Sequence, residues 1–367
     1  MKYLFINSVY GVRSTGKLIA KQCRELQEQG HTCLVGYGRE KIKDSSVKTI
    51  RIGNQLDVLI HGVFSTFFDA HGFCSKRATK RFLQKIDEYA PDVIWLHNLH
   101  GYYIHLKTLF DWLKAHPKIK VFWTLHDCWA FTGHCSHFTI AKCDKWKTQC
   151  FACPQKKEYP RCLGISRSRQ NYQHKKAIFN GVSDLTLITP SKWLADLTRL
   201  SFLKDYPVLV KNNKIDTTIF KPVQSDFRER HNLQNKKIIL GVAVGWENTK
   251  GLPDILEMAK QLDERFVIVL VGMTPKQIKQ MPPNILGIGR TKNQQELAGI
   301  YTTADVFINP THQDNYPTVN LEARACGTSV VTYNVGGSPE SAGGQYVVPE
   351  NDIAGMIKTI KKITNTL

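Results

Sequence analysis

Short, unbroken apolar runs alternate with longer stretches of helical periodicity along nearly the whole chain, and this alternation most constrains its fold. Runs such as Phe266–Val271 consist entirely of apolar residues and lack the alternating polar positions of a half-exposed strand. That composition is typical of strands that are buried on both faces. Strands that alternate with helices predict parallel sheets covered by helices on both sides, so the fold class is α/β.

The alternation forms two series of strands. In the first half we predict strands at Tyr3–Ile6, Thr32–Tyr37, Val93–Leu96, Val121–Leu125 and Leu185–Thr189, with helices at Ser14–Gln29 and Ser75–Tyr89. In the second half we predict strands at Ile238–Val242, Phe266–Val271, Ile285–Ile288, Asp305–Ile308 and Ser329–Tyr333. A length of 367 residues also favours two domains.

The two series are separated at residues 205–222, where Asp205-Tyr206-Pro207 and Asn212-Asn213 break the pattern as a connection between domains does. We therefore predict a Rossmann-like domain at 1–205 and a second one at 206–350, facing each other across a cleft. A last helix, within 351–367, is expected to pack back on the N-terminal domain. Ligands of such sheets bind beyond the carboxyl ends of the strands, so the site is sought in the loops there.

Positive charge is concentrated in the first half of the chain. Residues 1–200 hold 31 Lys and Arg against 15 Asp and Glu, whereas residues 201–367 hold 19 against 16. A basic domain favours an anionic partner: a membrane surface, a diphosphate-linked acceptor or nucleic acid. A solvated basic surface without a partner is the alternative. The densest group has helical spacing and comprises Lys76, Arg77, Lys80, Arg81 and Lys85.

An aromatic segment precedes this basic group and contains Phe64, Phe67, Phe68 and Phe73. It fits a membrane interface or a core equally well. No stretch has the ~20 apolar residues of a transmembrane helix. The first apolar run, Tyr3–Ile6, is too short for a signal peptide. These patterns predict a cytoplasmic protein, held peripherally at the inner face of the plasma membrane.

Ten cysteines in a cytoplasmic chain are expected to be thiols or metal ligands rather than disulfides. Four of them lie close together in sequence, beside His134 and His137: Cys135, Cys143, Cys150 and Cys153. The Cys150-x-x-Cys153 spacing suits tetrahedral zinc, so a structural zinc site is one hypothesis. A loop of small buried thiols is the other.

The most informative motif is Asp314-Asn-Tyr-Pro-Thr-Val-Asn-Leu-Glu322, which follows a strand and opens a helix with Pro317 and Thr318 at its start. The free amides near Thr318 and Val319 suit a diphosphate. Glu322 lies one turn further on the same face, where a carboxylate can accept hydroxyl groups of a ribose. A capped, buried helix with one satisfied glutamate is the alternative.

Two further loops follow strands. Lys250, in Gly245-Trp-Glu-Asn-Thr-Lys-Gly251, can neutralise charge on a departing phosphate, or it can be a plain surface lysine. The loop from Asn7 to Gly16 has small residues that allow a ligand to approach its backbone, but it is not a G-x-G-x-x-G motif.

Three histidines also stand at strand ends: His97, His100 and His126. Any one of them could be structural, but three at one sheet edge favour a functional role.

Together these motifs resemble those of the retaining GT-B glycosyltransferases of family 4, and more narrowly the bacterial branch for colanic acid, capsule or O-antigen synthesis. The resemblance covers nearly the whole chain and lies in the following segments: Ser14-Thr-Gly16, Leu96-His-Asn-Leu-His-Gly-Tyr-Tyr103, Thr124-Leu-His-Asp-Cys-Trp-Ala-Phe-Thr-Gly133, Pro190-Ser-Lys-Trp193, Lys250-Gly251 and Gln313-Asp-Asn-Tyr-Pro-Thr-Val-Asn-Leu-Glu-Ala323.

The resemblance implies a GT-B fold with the donor nucleotide sugar, UDP- or GDP-linked, on the C-terminal domain and no required cofactor or metal. It implies a catalytic set of His126, Lys250 and Asp314. It assigns the donor to Gly16, Lys250, Tyr316, Thr318, Val319 and Glu322, and the acceptor side to Thr15, His97 and His100. The acceptor is expected to be a glycan on a polyprenyl diphosphate, beside an anionic membrane.

The chain departs from the family pattern at three places. The first acid of the E-x7-E motif is Asp314, one methylene shorter than Glu. The arginine that usually accompanies Lys250 is absent, with Trp246 in its place, so Arg290 or Arg13 would have to supply the charge. The usual Asn-Gly-Ile-Asp of the linker is Asn213-Lys-Ile-Asp216.

Two other functions are compatible with parts of this pattern. A nucleotide-sugar epimerase or a phosphorylase also uses two Rossmann-like domains. A nucleic-acid-binding protein would fit the basic half, but the chain has no RRM, KH or helix-turn-helix signature. The sequence therefore favours a glycosyltransferase.

Overall fold

The apolar runs of the first half form one parallel sheet of seven strands. In this computed structural model, which describes residues 1–42 and 46–366, the strands lie in the order β3-β2-β1-β4-β5-β6-β7. Their bounds are β1 Lys2–Asn7, β2 Thr32–Tyr37, β3 Lys48–Arg51, β4 Val93–Leu96, β5 Lys120–Thr124, β6 Leu185–Thr189 and β7 Val208–Val210.

Helices cover both faces of this sheet, because successive side chains of each strand point to opposite sides. Leu4 and Ile6 of β1 belong to one buried cluster, whereas Phe5 belongs to another. The helices are α1 Arg13–Glu28, α2 Gln55–Phe68, α3 Lys76–Tyr89, α4 Leu106–Ala115, α5 Ser168–Phe179 and α6 Lys192–Arg199.

The second half forms a parallel sheet of six strands in the order β10-β9-β8-β11-β12-β13. The strands are β8 Lys237–Val242, β9 Phe266–Val271, β10 Ile285–Ile288, β11 Val306–Asn309, β12 Val330–Tyr333 and β13 Tyr346–Val348. The helices are α7 Phe227–Arg230, α8 Leu252–Gln261, α9 Pro275–Ile278, α10 Gln294–Thr303, α11 Thr318–Ala325, α12 Ser338–Ala342 and α13 Ile353–Ile363. Again two separate cores line the two faces of the sheet.

The chain divides into a first unit, Met1–Lys211, and a second unit, Asn212–Leu367. The first unit runs beyond residue 205 because β7 lies inside the segment that we interpreted as a connection and pairs with β6. The strands β3 and β13 were also not predicted, since both are edge strands of only four and three residues.

The last helix, α13, packs within its own unit. Met356, Ile357 and Ile360 are buried in a core that also contains Ile255 and Met258 of α8. The expectation that this helix packs back on the N-terminal domain stays a prediction. Its apolar face is already covered by α8, β12 and β13.

Both units have the strand order of a Rossmann-like fold, so the predicted α/β class and the two Rossmann-like domains are confirmed. In each sheet the order reverses at one point, between β1 and β4 and between β8 and β11. Ligand sites of open α/β sheets lie at such points. Of the described helices, none combines the length and the apolar composition that a bilayer crossing needs.

Candidate active site

Two of the predicted site residues meet at the reversal point of the second sheet. Lys250 ends a short 3-10 helix, Asn248–Lys250, after β8, and Asp314 lies in the loop after β11. Residues 243–305 separate the two strands in sequence. Only the pairing of β8 with β11 therefore brings the two loops together. Lys250 Nζ donates a hydrogen bond to Asp314 Oδ2 at 2.7 Å.

Backbone contacts hold these two loops against each other. Gly251 has φ +75°, and a Cβ at this residue would lie 2.1 Å from the carbonyl oxygen of Pro310. The His312 N–H donates to the carbonyl of Thr249 at 3.0 Å. Gly251 is therefore required both for its backbone conformation and for the close approach of the loop that carries Asp314.

The Lys250–Asp314 ion pair remains accessible to solvent. The Lys250 side chain is 36% exposed and that of Asp314 is 22% exposed. A pair of this kind contributes little to stability, about 0–1 kcal/mol. Its effect is to fix the ammonium group at the carboxyl end of β8, where an incoming anion can reach it.

The helix α11 begins beside this pair. Pro317 occupies its N-cap and has no side-chain acceptor, so within the described residues no side chain caps the first turn. Thr318 and Val319 are partly exposed. Amides at an uncapped helix start, reinforced by the helix dipole, favour an anion.

Glu322 follows one turn later, and its carboxylate is held by a buried tyrosine. Tyr301 donates its hydroxyl proton to Glu322 Oε2 at 3.0 Å. Burial and the neighbouring Glu322 raise the pKa of Tyr301 well above its usual value, so the phenol stays a donor. Glu322 itself is partly exposed rather than enclosed in the core, as a carboxylate that binds a ligand must be.

Tyr316 lies just before the helix and is partly buried. Burial, followed by the nearby Glu340, raises the pKa of its hydroxyl. Tyr316 therefore stays neutral and can donate a hydrogen bond at the same edge of the sheet.

A buried amide anchors α11, and the sequence analysis did not identify it. Asn320 Oδ1 accepts a hydrogen bond from Asn309 Nδ2 at 2.9 Å, and its own amide donates to Ser338 and Ser341 of α12. Asn320 is fully buried. The signal available in the sequence was a polar residue between Val319 and Leu321, at a position that a helix buries.

In the first unit, a pair of stacked histidines lies at the carboxyl ends of β4 and β5, beside the reversal point. His97 follows β4 and His126 follows β5, and His97 Nδ1 lies 3.0 Å from His126 Nε2. Burial and the adjacent His126 lower the pKa of His97 well below its usual value. Burial lowers the pKa of His126 to about 4. Both rings are therefore neutral near pH 7, and one of them donates its N–H to the unprotonated nitrogen of the other.

His100 belongs to a second polar chain. Its Nε2 lies 2.9 Å from Asp127 Oδ2, and its Nδ1 lies 2.9 Å from the hydroxyl of Tyr159. Burial raises the pKa of Asp127, but the charge and hydrogen bond of His100 outweigh it and bring the value to about 2. Asp127 and Tyr159 were not selected from the sequence.

Sequence comparison connects the second unit to a known family. Residues 236–366 match the family described as glycosyl transferases group 1, and this segment contains Lys250, Asp314 and Glu322. This segment makes up most of the second unit, Asn212–Leu367. The predicted resemblance to glycosyltransferases is thereby confirmed.

Two curated relatives are also similar to this chain. The chain is 27% identical over 281 residues to WcaC of Escherichia coli (strain K12), named for colanic acid biosynthesis, covering 74% of this chain and 67% of that protein. It is 24% identical over 151 residues to a Campylobacter jejuni N,N'-diacetylbacillosaminyl-diphospho-undecaprenol alpha-1,3-N-acetylgalactosaminyltransferase, covering 40% of this chain and 37% of the relative.

Solved structures share the fold over nearly the whole length of the chain. Sucrose-phosphate synthase of Thermosynechococcus elongatus has a TM-score of 0.69 at 16% identity, covering 99% of this chain and 90% of its own. Anabaena HepE in complex with UDP has a TM-score of 0.66 at 14% identity, covering 100% and 90%. These likenesses confirm the GT-B fold.

The loop from Asn7 to Gly16 folds tightly against the start of α1. Gly16 is buried in α1, and a Cβ there would lie 3.2 Å from the Gly11 nitrogen. Asn7 Nδ2 donates to the Val9 carbonyl at 2.7 Å and to Thr15 Oγ1 at 3.4 Å. Gly16 thus allows the loop to fold tightly over the helix, and Thr15 helps to hold Asn7.

The position that carries Trp246 supplies no charge. Its indole is buried in the core, where Nε1 donates to the Val271 carbonyl at 3.0 Å. Arg13 pairs with Glu40 at 2.6 Å, in the first unit. Arg290 is exposed in the second unit. Trp246 is therefore a core residue and not a substitute for the missing arginine.

The four clustered cysteines line one cavity. Cys135 donates a hydrogen bond to Cys153, which lowers the pKa of Cys153 to about 6, and Cys150 Sγ accepts the Gly133 N–H at 3.2 Å. The part of the chain that the structure describes has no group of three or more His, Cys, Asp or Glu side chains placed to hold a metal. The zinc hypothesis for Cys135, Cys143, Cys150 and Cys153 stays a prediction, beside the alternative of small buried thiols.

Proposed function

We propose that the protein transfers a hexosyl group from a nucleoside diphosphate sugar to a lipid-linked glycan in cell-surface polysaccharide synthesis. The observation that carries the proposal is the meeting of Lys250 and Asp314 at 2.7 Å, at the reversal point of the second sheet. The loop that carries Asp314 leads into α11, which begins at Thr318 and carries Glu322. A cation, uncapped amides and a partly exposed carboxylate suit a diphosphate and a ribose.

In the proposed reaction the bond between the sugar carbon and the diphosphate oxygen breaks, and its electron pair goes to the diphosphate. Lys250 and the amides of Thr318 and Val319 stabilise that charge, each contributing about 3–4 kcal/mol if they act as oxyanion donors do. Glu322 accepts the ribose hydroxyls, Tyr316 supports the donor, and Asp314 faces the transferred sugar.

The acceptor hydroxyl attacks from the face that the diphosphate leaves, and its proton passes to the departing phosphate. The anomeric configuration is then retained. Among the residues of the first unit we assign His126 to the sugar, Gly16 to the backbone near the phosphates, and Thr15, His97 and His100 to the acceptor. The neutral state of His97 and His126 suits contact with uncharged hydroxyl groups.

UDP is the first donor nucleotide to test, because solved structures of Anabaena HepE contain UDP and UDP-glucose. A lipid-linked acceptor is supported by the undecaprenol-linked substrate in the name of the Campylobacter jejuni relative. Such an acceptor would bring the basic first unit to an anionic membrane as a peripheral protein.

Thermal unfolding of the full chain with UDP, UDP-glucose, GDP and GDP-mannose tests the proposal. A ligand at 100 times its Kd stabilises the folded protein by about 2.7 kcal/mol, which is readily measured as a rise in Tm. We expect a UDP ligand to raise Tm and Lys250→Ala to reduce that rise. If none of the four ligands raises Tm, the proposed donor site is wrong.

A further inference from the structure

The helix α2 carries its apolar side chains on the face that points away from the protein. Seven large apolar residues alternate at spacings of three and one, which places them on one helical face. They are between 41% and 63% exposed: Leu56, Leu59, Ile60, Val63, Phe64, Phe67 and Phe68.

The opposite face of α2 is polar and buried, which fixes this orientation. His61 Nε2 accepts the N–H of Gly72 at 3.0 Å, and its Nδ1 lies 2.9 Å from Ser75 Oγ. Asn54 and Asp57 form a capping box at the start of the helix. Turning the helix to bury its apolar face would break the His61 contacts, so the exposed face belongs to the folded state.

A neighbouring loop extends the apolar surface. The N–H groups of Leu163 and Ile165 donate to the carbonyls of Thr66 and Phe67 at 2.7 and 2.9 Å. Leu163 is 49% exposed and Ile165 is 65% exposed. The α2 surface, as we name the seven helix residues with Leu163 and Ile165, is larger than the scattered apolar residues of an ordinary protein exterior.

Basic side chains border the α2 surface. Lys76, Arg77, Lys80 and Arg81 are exposed on α3, and within the described residues none of them forms an ion pair. The start of α2 lies against α3, since a Cβ on Gly53 would be 3.2 Å from the Cβ of Ala78. Phe73, by contrast, packs against the core, so the aromatic segment divides between surface and interior.

We propose that the α2 surface inserts into the interface of an anionic lipid bilayer, with the basic face of α3 against the head groups. An apolar helix face of this kind enters the boundary between head groups and acyl chains by about 5–10 Å. Anionic lipid complements the basic border. A second copy of the chain fits less well, because a symmetric contact would bring two basic borders together. The proposal rests on the proposed function in one respect: membrane binding gives the protein access to a lipid-linked acceptor.

Flotation of the full chain with vesicles tests this surface. One set contains phosphatidylcholine alone, and the other contains about 30 mol% phosphatidylglycerol. The apolar variant is Leu59→Ser/Phe67→Ser and the charge variant is Arg77→Gln/Lys80→Gln. Leu209→Ser, which changes a residue 54% exposed on β7 at the edge of the sheet opposite β3, is the matched control.

We expect wild type and Leu209→Ser to bind the anionic vesicles equally, and the apolar variant to bind at least about tenfold less. Each basic residue removed should weaken binding roughly fivefold, the equivalent of about 1 kcal/mol. Tm and UDP affinity of the variants should match the wild type, which shows that they are folded. A wild type that binds UDP but not anionic vesicles overturns this inference alone.

Equal vesicle binding by the apolar variant would also overturn it. So would a wild-type dimer that Leu59→Ser/Phe67→Ser converts to a monomer without any vesicle binding, because the α2 surface would then join two copies. Loss of UDP binding in a wild type that still floats with vesicles would refute the proposed function and leave this inference standing.

Discussion

Lys250 and Asp314 show how one contact can organise a site. The Lys250 ammonium group donates a hydrogen bond to the Asp314 carboxylate. Trp246 stands where the family pattern has an arginine, and its indole lies in the core. The positive charge at the start of α11 therefore depends strongly on one side chain.

We expect Lys250→Ala to lower kcat/KM for the donor sugar at least ~100-fold, or 2.7 kcal/mol, because an ammonium group is lost where charge develops. Lys260→Ala is the matched control, since Lys260 is 72% exposed and pairs only with Glu257 in the described part of the chain. Steady-state transfer kinetics provide the measurement. A variant of Lys250 with wild-type kcat/KM would remove this residue from the mechanism.

Glu322→Ala should also lower kcat/KM at least ~100-fold, since the ribose would lose a carboxylate acceptor. Tyr301→Phe removes only the phenol that donates to Glu322, so its effect should be smaller. Calorimetric titration with UDP separates binding from chemistry. Equal UDP affinity in wild type and Glu322→Ala would contradict the assigned ribose contact.

The histidine pair predicts a pH dependence of stability. The folded pKa of His126 is about 4, below the ordinary value of about 6.5, so the unfolded chain binds more protons between these values. The free energy of unfolding must therefore fall as the pH drops from about 6.5 towards 4, by up to about 1.4 kcal/mol per pH unit for each such histidine. His97→Gln should unfold with a shallower slope against pH. An unchanged slope in denaturant titrations would show that the pair does not carry the effect.

At the scale of elements, α11 is placed by polar contacts inside the core rather than by apolar packing alone. Asn320 links β11, through Asn309, to α12, through Ser338 and Ser341. The geometry of the helix start depends on this network, because Thr318 and Val319 lie on the same short helix.

Asn320→Ala should reduce the free energy of unfolding by about 2–4 kcal/mol, since it leaves several buried polar groups without partners. Gln261→Ala, an exposed amide bonded to Glu257, is expected to change it by less than about 0.5 kcal/mol. Urea unfolding compares the two. Similar losses of unfolding free energy in both variants would mean that the buried hydrogen bonds of Asn320 stabilise the fold no more than an exposed one does.

At the scale of the whole molecule, each unit has its own sheet and its own pair of cores. The segment between β7 and α7 has little regular structure and is largely exposed around Lys211 and Lys214. Boundaries of this kind are preferred sites of proteolysis.

Brief digestion with dilute trypsin should therefore cut first after Lys211 or Lys214 and leave two resistant fragments. Mass spectrometry of the earliest products identifies the cut. First cleavage within β8–β13 or within the first sheet would contradict the independence of the two units. UDP should protect the second fragment more than the first.

The sequence determined the class of fold and many of the elements. Continuous apolar runs such as Val93–Leu96 and Phe266–Val271 became strands at the predicted bounds, because burial on both faces leaves a local compositional signal. The motif from Asp314 to Glu322 likewise marked its own helix start. Short edge strands such as β3 and β7 left no such signal, because runs of four and three residues are too short to stand out from the surrounding loops.

Only the tertiary structure decided which side chains meet. Lys250 and Asp314 touch because β8 pairs with β11, a contact between residues distant in sequence. The burial of Asn320 and Trp246, the hydrogen bonds of the clustered thiols, and the outward apolar face of α2 were decided in the same way. Periodicity states that a helix has an apolar face, but the direction of that face depends on what the rest of the chain packs against it.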